Sequence, residues 1–464
     1  MQRLPGVDAG FLYMETPTLH MHTLKVALVD VTDVPGGYSF ERLQDELVAR
    51  LHLLPPFRRR VVKVPFQLNH PVWVEDRDVD ADRHVVRNRV PAPGGMAELE
   101  DLIGEIASTP LDRSVPLWEM HVCEGLADGR VAVVTKMHHA MADGVAANAL
   151  LANITDLSPE VPPPAPAKWQ PEPTPAAGEL TRSALLDAIR QIALVPGLVL
   201  RTLRSLIAVV RHKRGSDVST PRPILDTPRT SFNGAITARR SFATASLPIE
   251  DFKRVRKATG VTLNDVVLAV VAGSLRDWMD SRGEHPSGPL VAGVPVSTDA
   301  PGGPPRLGGN RVSNLFTSLC TDLDDPVERL HAISRTTAEA KVVQRTLGLE
   351  MLQDWVQFTP PAPFTAFMRL YSRLRAADLH PAPFNVVVSN VPGPPVPVWI
   401  AGAQLTDLFS VGPILQGIGL NVTVWSYLDR MNFSLLACPD TLPDLRPVAV
   451  GLGASLDTLL AAVL

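Results

Sequence analysis

Cysteine is scarce in this chain. Its three residues, Cys123, Cys320 and Cys438, lie far apart. No Cys-x-x-Cys pair or Cys/His metal spacing exists, and a sparse, odd count fits free buried thiols in a reducing compartment. A Gly-x-Ser-x-Gly elbow is missing, which argues against a serine hydrolase. So is His-Glu-x-x-His, which argues against a zinc hydrolase. Strong charge of either sign is absent: the formal net charge is −4, with no electrostatic footprint for nucleic acid. The first residues lack the apolar stretch of a signal peptide, and no window of about 18 uncharged apolar residues occurs, so neither secretion nor a transmembrane helix is expected. The expected location is the cytoplasm, with peripheral contact at the inner membrane or lipid bodies left open.

What is present supports a large core. The chain has 464 residues, 45% of them hydrophobic, enough for two or three domains. Proline is plentiful and concentrated: Pro162-Pro163-Pro164 and its neighbours cannot form a packed element and read as an extended linker. This divides the chain into an N-terminal domain at 1–157, a linker at 158–230 and a C-terminal domain at 231–464. Inside the linker, 182–214 carries Leu185, Ile189, Ile192, Val199, Leu203, Leu206 and Val210 at helical spacing. It also holds seven basic residues against one acidic residue. Such a basic amphipathic helix suits a membrane surface, or it packs on the protein body with a solvated basic face. Pro196-Gly197 is expected to kink or split it.

The chemistry centres on 131–145. A β-branched apolar run ends in His138-His139, and three residues later Asp143-Gly144 opens an Ala/Leu-rich helix. Adjacent strand residues point to opposite faces, so only one histidine serves a given cleft. A histidine at a strand end is well placed as a general base. Asp143 reads as a helix N-cap, or as a carboxylate that holds the loop. His20 and His22 share a strand face, but no third metal ligand is evident. Pro116-Leu117-Trp118 presents a large aromatic into the core at the start of a strand. Thr262 and Asp265 form a capping-box pattern around Asn264, whose amide N–H has the chemistry an oxyanion needs.

The string His-His-x-x-x-Asp-Gly resembles the active-site motif of acyltransferases related to chloramphenicol acetyltransferase. Adding Asp8…Phe11…Glu15, Pro116-Leu117-Trp118, Asn264-Asp265, Asn310-Arg311 and Ser389-Asn390, in that order, the chain resembles the bacterial wax ester synthase/diacylglycerol acyltransferases. The resemblance implies an α/β (α+β) fold of two chloramphenicol-acetyltransferase-like domains, each a mixed sheet flanked by helices, with a tunnel between them. It implies that His139 is the general base, that His138 supports it and that Asp143 is structural, paired with an arginine. Asn264 would stabilise the oxyanion or position substrate, and Gly144, Asp265, Ser389 and Asn390 would contact substrate. The reaction implied moves a long-chain acyl group from acyl-CoA to the hydroxyl of diacylglycerol or a fatty alcohol. No metal or cofactor is expected, acyl-CoA being a substrate. Two other readings stay open: a carrier-protein-dependent condensation or polyketide-associated acyltransferase, and a non-catalytic lipid-body scaffold.

Overall fold

The computed structural model describes residues 1–76, 79–161, 173–300, 303, 305–348 and 351–464. Most of the proline run that marks the linker, 162–172, lies outside the described residues.

Two six-stranded mixed sheets organise the chain. The first runs in the order Trp399–Ile400, Ala403–Val411, His22–Asp30, Val131–His138, Trp118–Glu124, Val85–Arg89. Every residue of Val131–His138 is buried, as expected for a strand covered on both faces, and it takes the middle of the sheet. The second runs Val312–Ser318, Val291–Ser297, Val386–Pro392, Leu420–Tyr427, Arg430–Ala437, Ser241–Pro248. Its core helix, Leu263–Ser281, buries thirteen residues and is apolar on nearly all sides. The C-terminal helix Arg446–Val463 lies against it, with the Ser274 hydroxyl donating to the Val448 carbonyl at 2.6 Å. The approach is so close that a Cβ on Gly273 would stand 2.1 Å from Ser455 Oγ.

The expected domain limits of 1–157 and 231–464 need one correction. Ala403–Val411 leaves the C-terminal half and pairs with His22–Asp30, so the first sheet is completed by chain from the other half. Seven registered pairs, from Gln404–Asp30 to Val411–Leu24, hold it there. The two halves are therefore joined through backbone hydrogen bonds as well as side-chain packing.

Between them runs one long helix, Ala177–Arg214. It is continuous through Pro196, so the expected split does not occur. Leu180, Ala184 and Leu198 are buried, while Ile189, Ile192, Leu203 and Leu206 are exposed. This helix and Arg446–Val463 are long and apolar enough to cross a membrane by length and composition, which corrects the expectation that no such helix exists.

Candidate active site

The site is built where the central strand of the first sheet stops. His138 is its last residue, paired with His22 across the sheet. The next amide, that of His139, donates to the Met21 carbonyl at 2.7 Å, and the Met141 amide turns back to the His138 carbonyl at 2.9 Å. Asp143 then caps the helix Gly144–Ile154: its Oδ1 accepts from the Ala146 amide at 2.9 Å.

The other oxygen of Asp143 faces the second half of the protein. Oδ2 accepts from Arg306 Nη2 at 2.6 Å and from the Arg311 amide at 2.8 Å. Arg306 also reaches Asp299 at 3.0 Å. Backbone bonds reinforce the join: the Gly309 amide donates to Met141 at 2.7 Å, and the Asp143 amide donates to Gly309 at 3.3 Å. Asp143 is thus both an N-cap and an anchor for the 306–311 loop. Gly144 has a packing role, because a Cβ there would sit 3.2 Å from Val391 Cγ2.

The imidazole of His139 is held from two sides. Phe11 stacks on it with ring centroids 4.3 Å apart. Its Nδ1 lies 2.9 Å from Asn310 Oδ1. The orientation of that amide is set by its other end, since Asn310 Nδ2 donates to Asp8 Oδ1 and to the His139 carbonyl, each at 2.8 Å. The oxygen must therefore face the ring, so Nδ1 carries the proton and Nε2 presents a lone pair. Burial pulls the His139 pKa down to about 4, outweighing Asp143 and Asn310, so the ring is neutral at physiological pH. Burial pushes buried Asp8 up to about 7 against the pull of Asn310.

His138 points elsewhere. Its Nδ1 accepts from the Ala140 amide at 3.0 Å, which leaves the proton on Nε2, 3.2 Å from Glu15 Oε2. Burial favours neutral His138. Burial would raise Glu15, but its hydrogen bond with His138 and its charge contact and bonds with Arg113 prevail and hold it near 2. Arg113 Nε reaches the same carboxylate at 2.9 Å.

The remaining predicted residues fall into groups. Trp118 is buried, donates its indole N–H to the Phe57 carbonyl at 2.8 Å and stacks on His84, a structural role. Leu117 lends its carbonyl to the His138 amide, and Pro116 precedes the strand. Asp265 is buried; its Oδ2 caps the Thr262 amide and accepts from Ser334, each at 3.0 Å. These bonds give Asp265 a helix-start role. Asn264 sits half-exposed on the same first turn. Ser389 and Asn390 lie half-buried on Val386–Pro392, whose end meets the helix Gly144–Ile154 through Asn148 Nδ2 and the Pro392 carbonyl at 3.2 Å. His20 and His22 stack at 5.5 Å, and burial keeps both neutral. Among the described residues no group of three or more metal-ligating side chains comes together.

Three cavities are lined by residues that contact or neighbour the histidine pair. One cleft is lined by Asp8, Met141 and the 306–311 loop. Another is lined by Glu15, Lys63, Arg113 and the helix Pro361–Arg373. A small apolar cavity lies beneath the helix Gly144–Ile154, walled by Met137, Ala147, Leu150 and Leu408.

Sequence reasoning assigned no role to Asn310, Asp8, Phe11, Glu15 or Arg306. The first four stood within quoted motif segments, but nothing in their spacing shows that they meet His138 and His139. Arg306 carried no signal.

Two six-stranded sheets with an oriented, half-buried histidine where the halves meet make a two-domain, condensation-like fold. The starter condensation domain of rhizomide synthetase superposes with a TM-score of 0.56 at 13% identity, covering 99% of this chain and 93% of that one, a likeness of fold alone. The wax ester synthase/diacylglycerol acyltransferase from Marinobacter aquaeolei VT8 matches over 100% of both chains, with a TM-score of 0.69 and 28% identity. The wax ester synthase/diacylglycerol acyltransferase catalytic domain matches residues 4–267, and the C-terminal domain of the same family matches 308–460. Two Mycobacterium tuberculosis proteins, each named "Putative diacyglycerol O-acyltransferase", are 39% identical over 452 residues and 37% identical over 468. The alignments cover 97% and 99% of this chain and 94% and 90% of those proteins. The chain belongs to the wax ester synthase/diacylglycerol acyltransferase family and is an O-acyltransferase.

Proposed function

We propose that the protein transfers a long-chain acyl group directly from acyl-CoA to the hydroxyl of a diacylglycerol, a fatty alcohol or both, with His139 as general base. The observation that carries this reading is the fixed tautomer: Asn310 occupies Nδ1, and Nε2 is left unprotonated and free to act. Nε2 takes the hydroxyl proton as the alcohol oxygen attacks the thioester carbonyl. The carbonyl becomes a tetrahedral oxyanion, for which Asn264 is the donor we favour. Its amide makes no hydrogen bond among the described residues, so it is available. Collapse breaks the C–S bond, and His139 returns the proton to the departing thiolate.

The transfer proceeds without a covalent acyl-enzyme. All three cysteines are buried, and burial pushes the Cys123 thiol up to about 12, far from a nucleophilic thiolate. The reaction uses no metal or cofactor beyond its substrates. The family names cover both acceptors, wax ester synthase implying an alcohol and diacylglycerol acyltransferase a glyceride.

The protein works in the cytoplasm, in peripheral contact with the inner membrane or lipid bodies through Ala177–Arg214. That helix is tied down along its length: Asp187 to Arg3 at 2.7 Å, Thr202 to the Trp355 indole at 3.0 Å, and His212 to Glu339 at 2.8 Å. Such ties favour a helix that lies on a surface over one that crosses it. Ser389, Asn390 and Gly144 flank the acceptor's path where the two halves meet.

The test offers purified protein palmitoyl-CoA with hexadecanol or a diacylglycerol, following thiol release and lipid product. Wild type forms ester; folded His139→Ala loses about 100- to 10,000-fold in kcat. Equal rates in the two proteins would remove His139 from the chemistry. No turnover with either acceptor would point to a carrier-bound donor or a scaffold.

A further inference from the structure

Among the described residues, the cleft on the Glu15 side of the catalytic histidines carries more positive charge than its lining balances. Arg369 and Arg373 stand one turn apart on the helix Pro361–Arg373 and line the cleft together. Lys63 faces them from the end of the strand Arg59–Val62, and Arg113 closes the third side. The one acid of the lining, Glu15, is already engaged by Arg113 and His138. Lys63, Arg369 and Arg373 make no ion pair among the described residues and are exposed. Hydroxyls complete the wall: Ser372 Oγ lies 2.5 Å from Thr18 Oγ1 and 3.1 Å from Thr16 Oγ1.

The cleft on the Asp8 side differs in this respect. There Arg306 is paired with Asp143 and Asp299, and Arg311 also approaches Asp299 at 3.7 Å. Arg306 and Arg311 hold the loop in place with their charge spent on those carboxylates; Arg59, bonded to Gln2 Oε1 at 3.1 Å, is the one cation of that lining without a carboxylate among the described residues, against three on the Glu15 side. Of the two clefts, the Glu15 side is the one that attracts a polyanion.

The charged cleft is linked to the histidine pair through residues of its wall. Glu15 binds His138, whose neighbour is the base, and Phe11, one turn earlier, stacks on His139. A recess sharing Lys63, Arg113 and Arg369 extends beside it, walled by Leu12, Tyr13 and Ala366. It offers apolar surface next to the charges, which suits a nucleoside beside its phosphates.

We infer that Lys63, Arg369 and Arg373, with Arg113, form the docking site for the phosphorylated nucleotide end of the acyl-CoA donor, so that the thioester enters from the Glu15 side and the hydroxyl acceptor from the Asp8 side. This rests on the acyl-CoA reading above. Arginine pairs with phosphate through two parallel N–H bonds, and lysine adds a point charge. The site supplies binding energy remote from the bond being broken.

The test uses the full-length Lys63→Ala/Arg369→Ala/Arg373→Ala variant. The three side chains are exposed, and circular dichroism checks that the variant folds. Calorimetry with CoA and with 3′,5′-ADP is expected to show binding weakened about tenfold or more. KM for palmitoyl-CoA is expected to rise by the same factor with kcat retained. The rate on palmitoyl N-acetylcysteamine thioester, which has no nucleotide to lose, is expected to match wild type. Unchanged CoA affinity, or an equal loss on both thioesters, overturns the assignment. Vesicles of phosphatidylglycerol separate a lipid headgroup from a nucleotide: a variant that keeps its CoA affinity but loses vesicle binding also overturns it. Should wild type turn over neither thioester, the acyl-CoA reading fails by itself, and the calorimetry still decides whether these residues bind the nucleotide.

Discussion

His139 owes its usefulness to an amide that no local pattern reveals. Asn310 spends both N–H bonds on Asp8 and the His139 carbonyl, and so presents its oxygen to Nδ1. Removing it frees the ring to rotate and to change tautomer, at a cost of about 10- to 100-fold in kcat for a group of this kind. The pH profile tests the same point. An active base must be unprotonated, and burial holds His139 near 4. The acid limb of kcat is therefore expected near pH 4, with activity level down through the usual histidine range. Titrating kcat in wild type and Asn310→Ala checks both: the variant should be slower, and its limb should move toward 6.5 as water reaches the ring. A wild-type limb at 6.5 would contradict the buried, oriented base.

At the scale of elements, the loop after the catalytic strand is held by one carboxylate doing two tasks. Asp143 caps its own helix and receives Arg306 from the other half. Both side chains are well buried, at 7% and 17% exposure, so losing one partner strands the other's charge. Stranding a charge in this way costs about 3–5 kcal/mol. The Ala146 and Arg311 amides remain to Asp143, so Arg306→Met is expected at the low end, about 3 kcal/mol. Thermal unfolding measures this, and adding Asp143→Asn, which removes the stranded charge, should recover part of the loss. Additive losses in the double variant would mean that the pair does not couple. The Asn264–Asp265 turn was partly legible: the capping box formed, because Thr-x-x-Asp needs only one helical turn to close.

Across the whole molecule, Ala177–Arg214 leaves a band of apolar side chains uncovered, Ile189 at 66%, Ile192 at 68%, Leu203 at 52% and Leu206 at 46% exposure. Replacing these four with Gln should release the protein from anionic vesicles in co-sedimentation while its melting temperature changes little, since none of them is buried. Unaltered vesicle binding would take the contact away from this helix. The amphipathic pattern and the basic excess could be read along the chain, but the direction of each face required the protein body it lies on.

By itself, the sequence determined the chemistry available and most of the local structure: the buried central strand, the two histidines at its end, the Asp143 cap, the Trp118 core residue and the two α/β halves. These rest on periodicity and capping, which act over a few residues. Only the tertiary structure decided that Ala403–Val411 completes the first sheet, that Arg306 reaches Asp143, and that Asn310 and Asp8, 302 residues apart, meet at His139. The reason is physical. Strand pairing and buried polar bonds are selected by global packing, and a strand or an amide carries no local mark of the distant partner it will satisfy.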